Sequence, residues 1–422
     1  MKILIVNTYD ISGGAARAAY RLHKALQSIG VDSQMLVQTK TCDDPTVLGL
    51  QTTMQKAIIY IRHKLDALPL RCYKNKKQTD FSPAWLPFSD IVDQINACEV
   101  DIVHLHWIAQ GLIPIKDLSR IKKPIVWSLH DMWAFTGGCH YDSDCGKYTN
   151  HCENCPLLAS NQSHDLSHHV FRKKVKTFVQ IPSLTVVGLS RWLAYCAENS
   201  TLLAERKIVN LPNPIDIHTF RPLNRDIARE LLDLPQNRKL LLFGADGAMR
   251  NPRKGFAELS NAIQVIKSTD IELVLFGSER PLNPPVFGFP IHYLGHIPGD
   301  LSLRVLYSAA DVMVVPSIQE NLSNSIMESM ACGTPVVAFD IGGNGDMIDH
   351  QQNGYLATPY DPASLAEGID WILNYPNPQD LSHNARQKVM ETFEATKVAR
   401  QYVELYKEVL RKTNDLHGEK LV

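Results

Sequence analysis

Short apolar strands alternate with amphipathic helical stretches along this chain, and the alternation runs through twice. Residues 2–7 (KILIVN) form a continuous apolar run, as a strand covered on both faces requires. Gly13 and Gly14 follow. Ala15, Ala18, Leu22, Leu26 and Ile29 then recur at helical spacing, and Gly30 stands where a helix stops. Further strands are expected at 33–38, 101–105, 124–129 and 184–189. Residues 211–222 (LPNPIDIHTFRP) carry three prolines and read as a linker. The pattern resumes at 239–244, 272–277, 291–295, 311–316, 335–340 and 354–358. Strands alternating with helices argue for parallel, doubly wound sheets. The expected class is therefore α/β, with two doubly wound Rossmann-like domains facing across a cleft. Ligands of such sheets bind at the carboxyl ends of the strands.

The 422 residues divide on this reading into 1–212, 213–390 and a terminal helical segment 391–422. In that last segment Val398, Tyr402, Leu405 and Val409 would line one face. Lys and Arg number 43 against 44 Asp and Glu, so the basic excess of a nucleic-acid-binding chain is missing. No apolar run reaches the ~18 residues of a membrane span. The opening MKILIVNTYD turns polar too soon for a secretory signal, so a cytoplasmic protein is expected.

Residues 316–346 (PSIQENLSNSIMESMACGTPVVAFDIGGNGD) carry the sharpest motif. Glu320 should lie in a loop after a strand. Ser323 or Asn324 can cap a helix that runs to Ala331 and stops at Gly333. Glu328 then lies inside that helix. A helix N-terminus suits a diphosphate, and a carboxylate beside it can accept hydrogen bonds from vicinal sugar hydroxyls. By spacing alone the two are equally well ordinary surface glutamates. His104 and His106 alternate on one strand and point the same way, and His130 closes another. A single histidine at a strand end is most often structural. Three near neighbouring strand ends point more toward a site. The small residues Gly13 and Gly14 allow a close backbone approach to a phosphate or acceptor, or make a plain turn.

Taken together, these stretches resemble the retaining GT-B glycosyltransferases of the family-4 type, the glycosyl transferases group 1. The resemblance rests on E-x7-E and the ACGTPVVAFDIGG that follows it, Gly13-Gly14, HLHW at 104–107, LHD at 129–131, LSRWL at 189–193, PNPIDIHTF and PRKG at 252–255. HDMWAFTGGCHYDSDCGKYTNHCENCP looks most like a subgroup making colanic-acid-type exopolysaccharides. The resemblance implies that Glu320 contacts the donor sugar and that Glu328 holds the nucleoside ribose. It implies that main-chain N–H groups of Asn321, Leu322 and Ser323 touch sugar or diphosphate, with Gly14 also on the donor. Lys254 matches a lysine that binds the diphosphate. The family's arginine six residues earlier is replaced by Ala248, so Arg250 and Arg253 are the candidates to complete that clamp. His130 matches the histidine near the anomeric carbon, with Asp131 either supporting it or capping the next turn. The implied chemistry retains anomeric configuration and needs no cofactor or divalent cation. The implied donor is a UDP- or GDP-sugar, and the acceptor a saccharide or a polyprenyl-diphosphate-linked oligosaccharide. A phosphorylase or epimerase relative and a non-catalytic nucleotide-sugar-binding or assembly protein are the alternatives.

Cys139, Cys145, Cys152 and Cys155 fall in a loop, 137–156, with spacing C-x5-C-x6-C-x2-C. Four thiolates can hold a structural zinc, with His140 and His151 as substitutes; free thiols or disulfides are the other options. Two basic stretches, 56–77 and 171–176, are read either as solvated helix faces or as contacts with the inner-membrane surface.

Overall fold

The computed structural model describes residues 1–49, 53–77, 80–87, 89–244, 247, 249 and 251–418, with 53–59 and 414–418 described in backbone only. The chain divides into two compact units, Met1–Pro214 with Val398–Val422, and Ile215–Lys397.

The first unit is a seven-stranded parallel sheet of order β3-β2-β1-β4-β5-β6-β7. Its strands are β1 (Lys2–Tyr9), β2 (Asp32–Thr39), β3 (Val47–Gly49), β4 (Ile102–Leu105), β5 (Ile125–Leu129), β6 (Leu184–Gly188) and β7 (Lys207–Asn210). β4, β5 and β6 are buried at every position, which is why they read as unbroken apolar runs. The edge strand β7 is only half-buried. Helices α1 (Gly14–Ser28), α2 (Thr53–Asp66), α3 (Ile91–Ala97), α4 (Leu166–Phe178) and α5 (Arg191–Glu198) connect the strands. Gly13 precedes α1 with φ +86°, a conformation that glycine adopts without a Cβ penalty.

The second unit is a six-stranded parallel sheet of order β10-β9-β8-β11-β12-β13. It comprises β8 (Lys239–Gly244), β9 (Ile271–Phe276), β10 (Ile291–Tyr293), β11 (Val312–Val315), β12 (Val336–Phe339) and β13 (Gly354–Ala357). Its helices are α6 (Arg225–Leu231), α7 (Phe256–Ile263), α8 (Asp300–Ala309), α9 (Asn324–Ala331), α10 (Asn344–Met347), α11 (Pro362–Leu373) and α12 (Pro378–Thr392). The chain enters and leaves this unit at one place. Ile215 N–H donates to Phe393 O at 2.9 Å, and Ala395 N–H donates to Ile215 O at 3.0 Å.

The last helix, α13 (Ala395–Gly418), belongs to the first unit from Val398 onward. Val398, Tyr402, Leu405, Tyr406 and Val409 are buried. At about 1.5–3 kcal/mol for each apolar side chain removed from water, this face contributes on the order of 10 kcal/mol of gross burial energy. The Tyr406 hydroxyl reaches His104 Nδ1 at 2.7 Å.

In both sheets the strand order reverses once, between β1 and β4 and between β8 and β11. Connections leave such a point toward opposite faces and open a crevice at the carboxyl ends of the two strands. No helix among the described residues is long and apolar enough to cross a membrane.

Candidate functional sites at the two strand-order reversals

In the second unit, the loops after β8 and β11 meet at the reversal. Asn251 caps the short turn Pro252–Lys254 by accepting from Arg253 N–H at 3.1 Å. Gly255 then takes φ +74°, and a Cβ there would lie 1.7 Å from Pro316 O. Only glycine lets this turn press against the end of β11. Ile318 N–H seals the contact by donating to Arg253 O at 2.9 Å. The result places Lys254 Nζ 2.8 Å from Glu320 Oε2. Arg253 donates to Gln319 O at 2.7 Å and stands 3.4 Å from the same carboxylate oxygen. On the far side Gly342, at φ +53°, approaches so closely that a Cβ would lie 1.8 Å from Glu320 O.

This cluster is charged and sheltered. Burial by itself would raise the Glu320 carboxyl. The adjacent Lys254 and Arg253, with the Asn321 N–H, outweigh burial and hold it down to about 2. Burial and the nearby Arg253 lower Lys254, against the pull of Glu320. Lys254 and Glu320 face each other as an ion pair. Lys254, Gly244, Ser317 and Ser325 line a small recess at this sheet end.

The other expected donor residues are distributed around α9. Asn321 and Leu322 are buried in the approach to the helix. Ser323 is its first cap residue by backbone conformation, but its hydroxyl bonds the Ser325 hydroxyl at 2.9 Å instead of capping a main-chain N–H. The first turn of α9 offers N–H groups at the positive end of the helix. Glu328 lies inside α9, buried, and accepts from the Tyr307 hydroxyl at 2.9 Å. It is no surface glutamate. Arg250 lies outside the described residues, and Arg253 is the arginine placed at the cluster.

In the first unit, β1, β4 and β5 deliver Gly14, His106 and His130 to the other reversal. Gly14 is the first residue of α1. His106 Nδ1 and His130 Nε2 are 2.9 Å apart, and His104 stacks on His106 with ring centroids 4.3 Å apart. His104 is held between Tyr406 and the Ser128 hydroxyl, 2.8 Å away. His106 Nε2 is buried without a hydrogen-bond partner in the structure. Burial pushes His130 down to about 4, so it stands neutral at physiological pH.

Asp131 takes one of its two expected roles, the cap of the next turn, and has further partners besides. Its Oδ1 accepts from Trp133 N–H at 2.8 Å, capping the next turn. Its Oδ2 accepts from Trp107 Nε1 at 2.8 Å and lies 2.6 Å from His140 Nδ1. His140 Nε2 in turn meets Ser82 Oγ at 2.9 Å. Trp107, His140 and Ser82 come from three separate segments, and no local spacing announces the network. His140 is therefore engaged with Asp131.

A model of the glycosyl transferases group 1 matches residues 239–375, the stretch that builds the Lys254–Glu320 cluster. A protein of Methanocaldococcus jannaschii, described as an uncharacterized glycosyltransferase, is 37% identical over 116 residues, covering 27% of this chain and 30% of that one. D-inositol 3-phosphate glycosyltransferase 2 of Catenulispora acidiphila is 30% identical over 409 residues, covering 89% of this chain and 85% of its own. The chain belongs to the group 1 glycosyltransferases. Its two parallel sheets are those of the GT-B fold. The Anabaena protein HepE, solved with UDP-glucose, superposes with a TM-score of 0.64 at 16% identity, covering 97% of this chain and all of that one.

In this glycosyltransferase the Cys-rich loop and the basic stretch 171–176 are both partly buried. Cys139, Cys152 and Cys155 are buried, Cys145 is half-buried, and all four are free. Burial raises the Cys139 thiol well above its ordinary value and Cys152 up to about 12. The four thiols share one region, close enough for Cys145, Cys152 and Cys155 each to act on Cys139. Among the described residues, the His, Cys and carboxylate side chains whose ligand atoms gather within 4.8 Å of one another are His151, Glu153 and His168. The basic stretch 171–176 also divides. Lys174 is completely buried, lies 3.9 Å over the Trp133 ring, and donates to Trp133 O and to Thr136 O, the latter at 3.1 Å. Lys174 anchors the turn after Asp131 and is unavailable to a membrane. In the 56–77 stretch the Arg62 guanidinium is likewise turned inward, onto Pro87 O at 3.0 Å and Gly111 O at 3.2 Å. Lys56, Ile58 and Ile59 have side chains outside the described set.

Proposed function

We propose that this glycosyltransferase moves a sugar, with retention of anomeric configuration, from a UDP- or GDP-sugar to a saccharide acceptor in exopolysaccharide or lipopolysaccharide synthesis. The observation that carries the reading is the Lys254–Arg253–Glu320 cluster at the strand reversal of the second unit. Lys254 and Arg253 supply the positive charge that a leaving diphosphate needs, without a divalent cation. Glu320 accepts hydroxyls of the donor sugar. Glu328, on α9, takes the ribose, and the N–H groups of Asn321, Leu322 and Ser323 meet the sugar or diphosphate. A neutral His130 orients sugar or acceptor; Gly14 gives the backbone room beside it. The UDP-glucose bound to HepE supports a nucleotide-sugar donor.

Lipid-linked acceptors are supported by one surface. Ile61, Leu65 and Leu68 are exposed on and just after α2, among exposed Lys64, Arg71, Lys74, Lys76 and Lys77. Apolar side chains ringed by lysine suit an anionic membrane surface. A second reading of the acceptor, a phosphorylated polyol, is favoured by the name of the Catenulispora relative.

The test is a thermal-shift panel of the purified protein against UDP, GDP, ADP and their sugars, followed by transfer assays with polyprenyl-diphosphate saccharides and with inositol phosphate. One diphosphate should raise the melting temperature, since a ligand of the folded state stabilises it. No shift with any of them, in a protein that is folded by circular dichroism, would sink the donor-site assignment.

A further inference from the structure

A metal-compatible group is made of residues that neither site described above uses. His151 belongs to the Cys-rich loop, Glu153 follows it, and His168 lies in the first turn of α4. His151 Nε2 and His168 Nδ1 face each other at 3.0 Å, and a Glu153 oxygen lies 3.8 Å from the same His151 nitrogen. We propose that His151, His168 and Glu153 form a binding site for a zinc-class divalent transition metal, which staples the Cys-rich loop to α4.

Three features support this. The first is geometry. A tetrahedral zinc with bonds of about 2.0–2.2 Å sets its ligand atoms roughly 3.3–3.5 Å apart. The His151–His168 and His151–Glu153 separations, 3.0 and 3.8 Å, lie within a few tenths of an ångström of that spacing, and all three ligand atoms lie within 4.8 Å of one another. The second is ligand chemistry. Two imidazole nitrogens and one carboxylate oxygen suit zinc, copper or nickel far better than calcium or magnesium. Two facing imidazole nitrogens need a proton on one of them to attract each other, whereas a metal satisfies both as lone-pair donors.

The third feature is preorganisation. Asp165 ties both ligand-bearing segments together, accepting from His168 N–H at 3.1 Å and from Cys155 N–H at 2.7 Å. Lys147 donates to Glu153 O at 2.8 Å and to Asn154 O at 2.9 Å, fixing the backbone under the carboxylate. The His151 ring rests edge-on against Phe171 of α4, with centroids 5.5 Å apart. Three protein ligands leave the fourth position to water. α4 also carries Lys174, which holds the turn after Asp131, so a metal here would stiffen the segment that presents His140 to Asp131.

The experiment uses the full chain, free of any affinity tag and stripped with chelator. Zinc is titrated by calorimetry, and cobalt(II) by visible absorbance. The expected result is one ion per chain, a higher melting temperature with zinc, and cobalt d–d bands without an intense near-ultraviolet thiolate band. His151→Gln and His168→Gln should each weaken binding by more than about 10-fold, since even outer-shell changes cost that much. Glu153→Gln gives a third, milder variant, and Cys152→Ser should bind like wild type. Absence of binding to the folded wild type overturns the proposal. So does a thiolate band together with loss of binding in Cys152→Ser, which would assign the metal to the cysteines.

Discussion

Replacing Glu320 by glutamine keeps the shape of the side chain and removes the one negative charge that Lys254 and Arg253 share. The carboxyl is held near 2 in the folded chain against an ordinary 4.5. That difference corresponds to about 3 kcal/mol of preference for the ionised form, at about 1.4 kcal/mol per pH unit. The folded value is the depressed one, so the contribution is present above pH 4.5 and is lost as pH falls toward 2. The E320Q protein should therefore be less stable than wild type by about 3 kcal/mol at neutral pH. The gap should close progressively between pH 4.5 and 2. Urea unfolding of the second unit at pH 7 and at about pH 3 measures both. A further consequence concerns the donor. In the free protein the two cations already have an anion, and a diphosphate must draw them away from it. E320Q should bind a nucleoside diphosphate at least as tightly as wild type while losing transfer. If E320Q binds the diphosphate more weakly, or shows no stability change at neutral pH, the partner-exchange reasoning is wrong.

Lys254→Ala should weaken nucleoside diphosphate binding by roughly 10–100-fold, the cost of about 1.5–3 kcal/mol for a charge-assisted hydrogen bond, read by calorimetry. Gly342→Ala would force a Cβ to 1.8 Å from Glu320 O at φ +53°, so the loop must move. Transfer should fall with Glu320 itself intact, and an unchanged kcat would show that the close approach is dispensable. The first unit should be acid-labile. Burial lowers His104 to about 3 and His23 to about 4, and drives His106 well below its ordinary value. With His130, also lowered to about 4, four such histidines with unfolded values near ~6.5 mean that the unfolded chain takes up about four more protons below that pH, so stability falls by up to about 5 kcal/mol per pH unit as pH drops from ~6.5 toward ~4. Urea midpoints at about pH 7.5 and pH 5.5 test this, and a flat profile would refute it.

The strands, the Pro-rich linker and the α9 region could be read locally, because burial on both faces demands unbroken apolar runs and helix ends demand particular caps. Lys254 and Glu320 were each legible from their motifs. Their ion pair was not, because it depends on Gly255 and Gly342 letting two loops approach to van der Waals limits. His130 was legible as a strand-end histidine and Asp131 as the cap of the next turn, but not the His106 contact of the first nor the Trp107 and His140 contacts of the second. Those contacts join residues on separate segments, and a linear spacing holds no information about which loop folds back on which. Lys174 makes the same point in the other direction. A run of basic residues specifies composition, whereas the burial of each side chain, and so its reach, follows from the packing of α4.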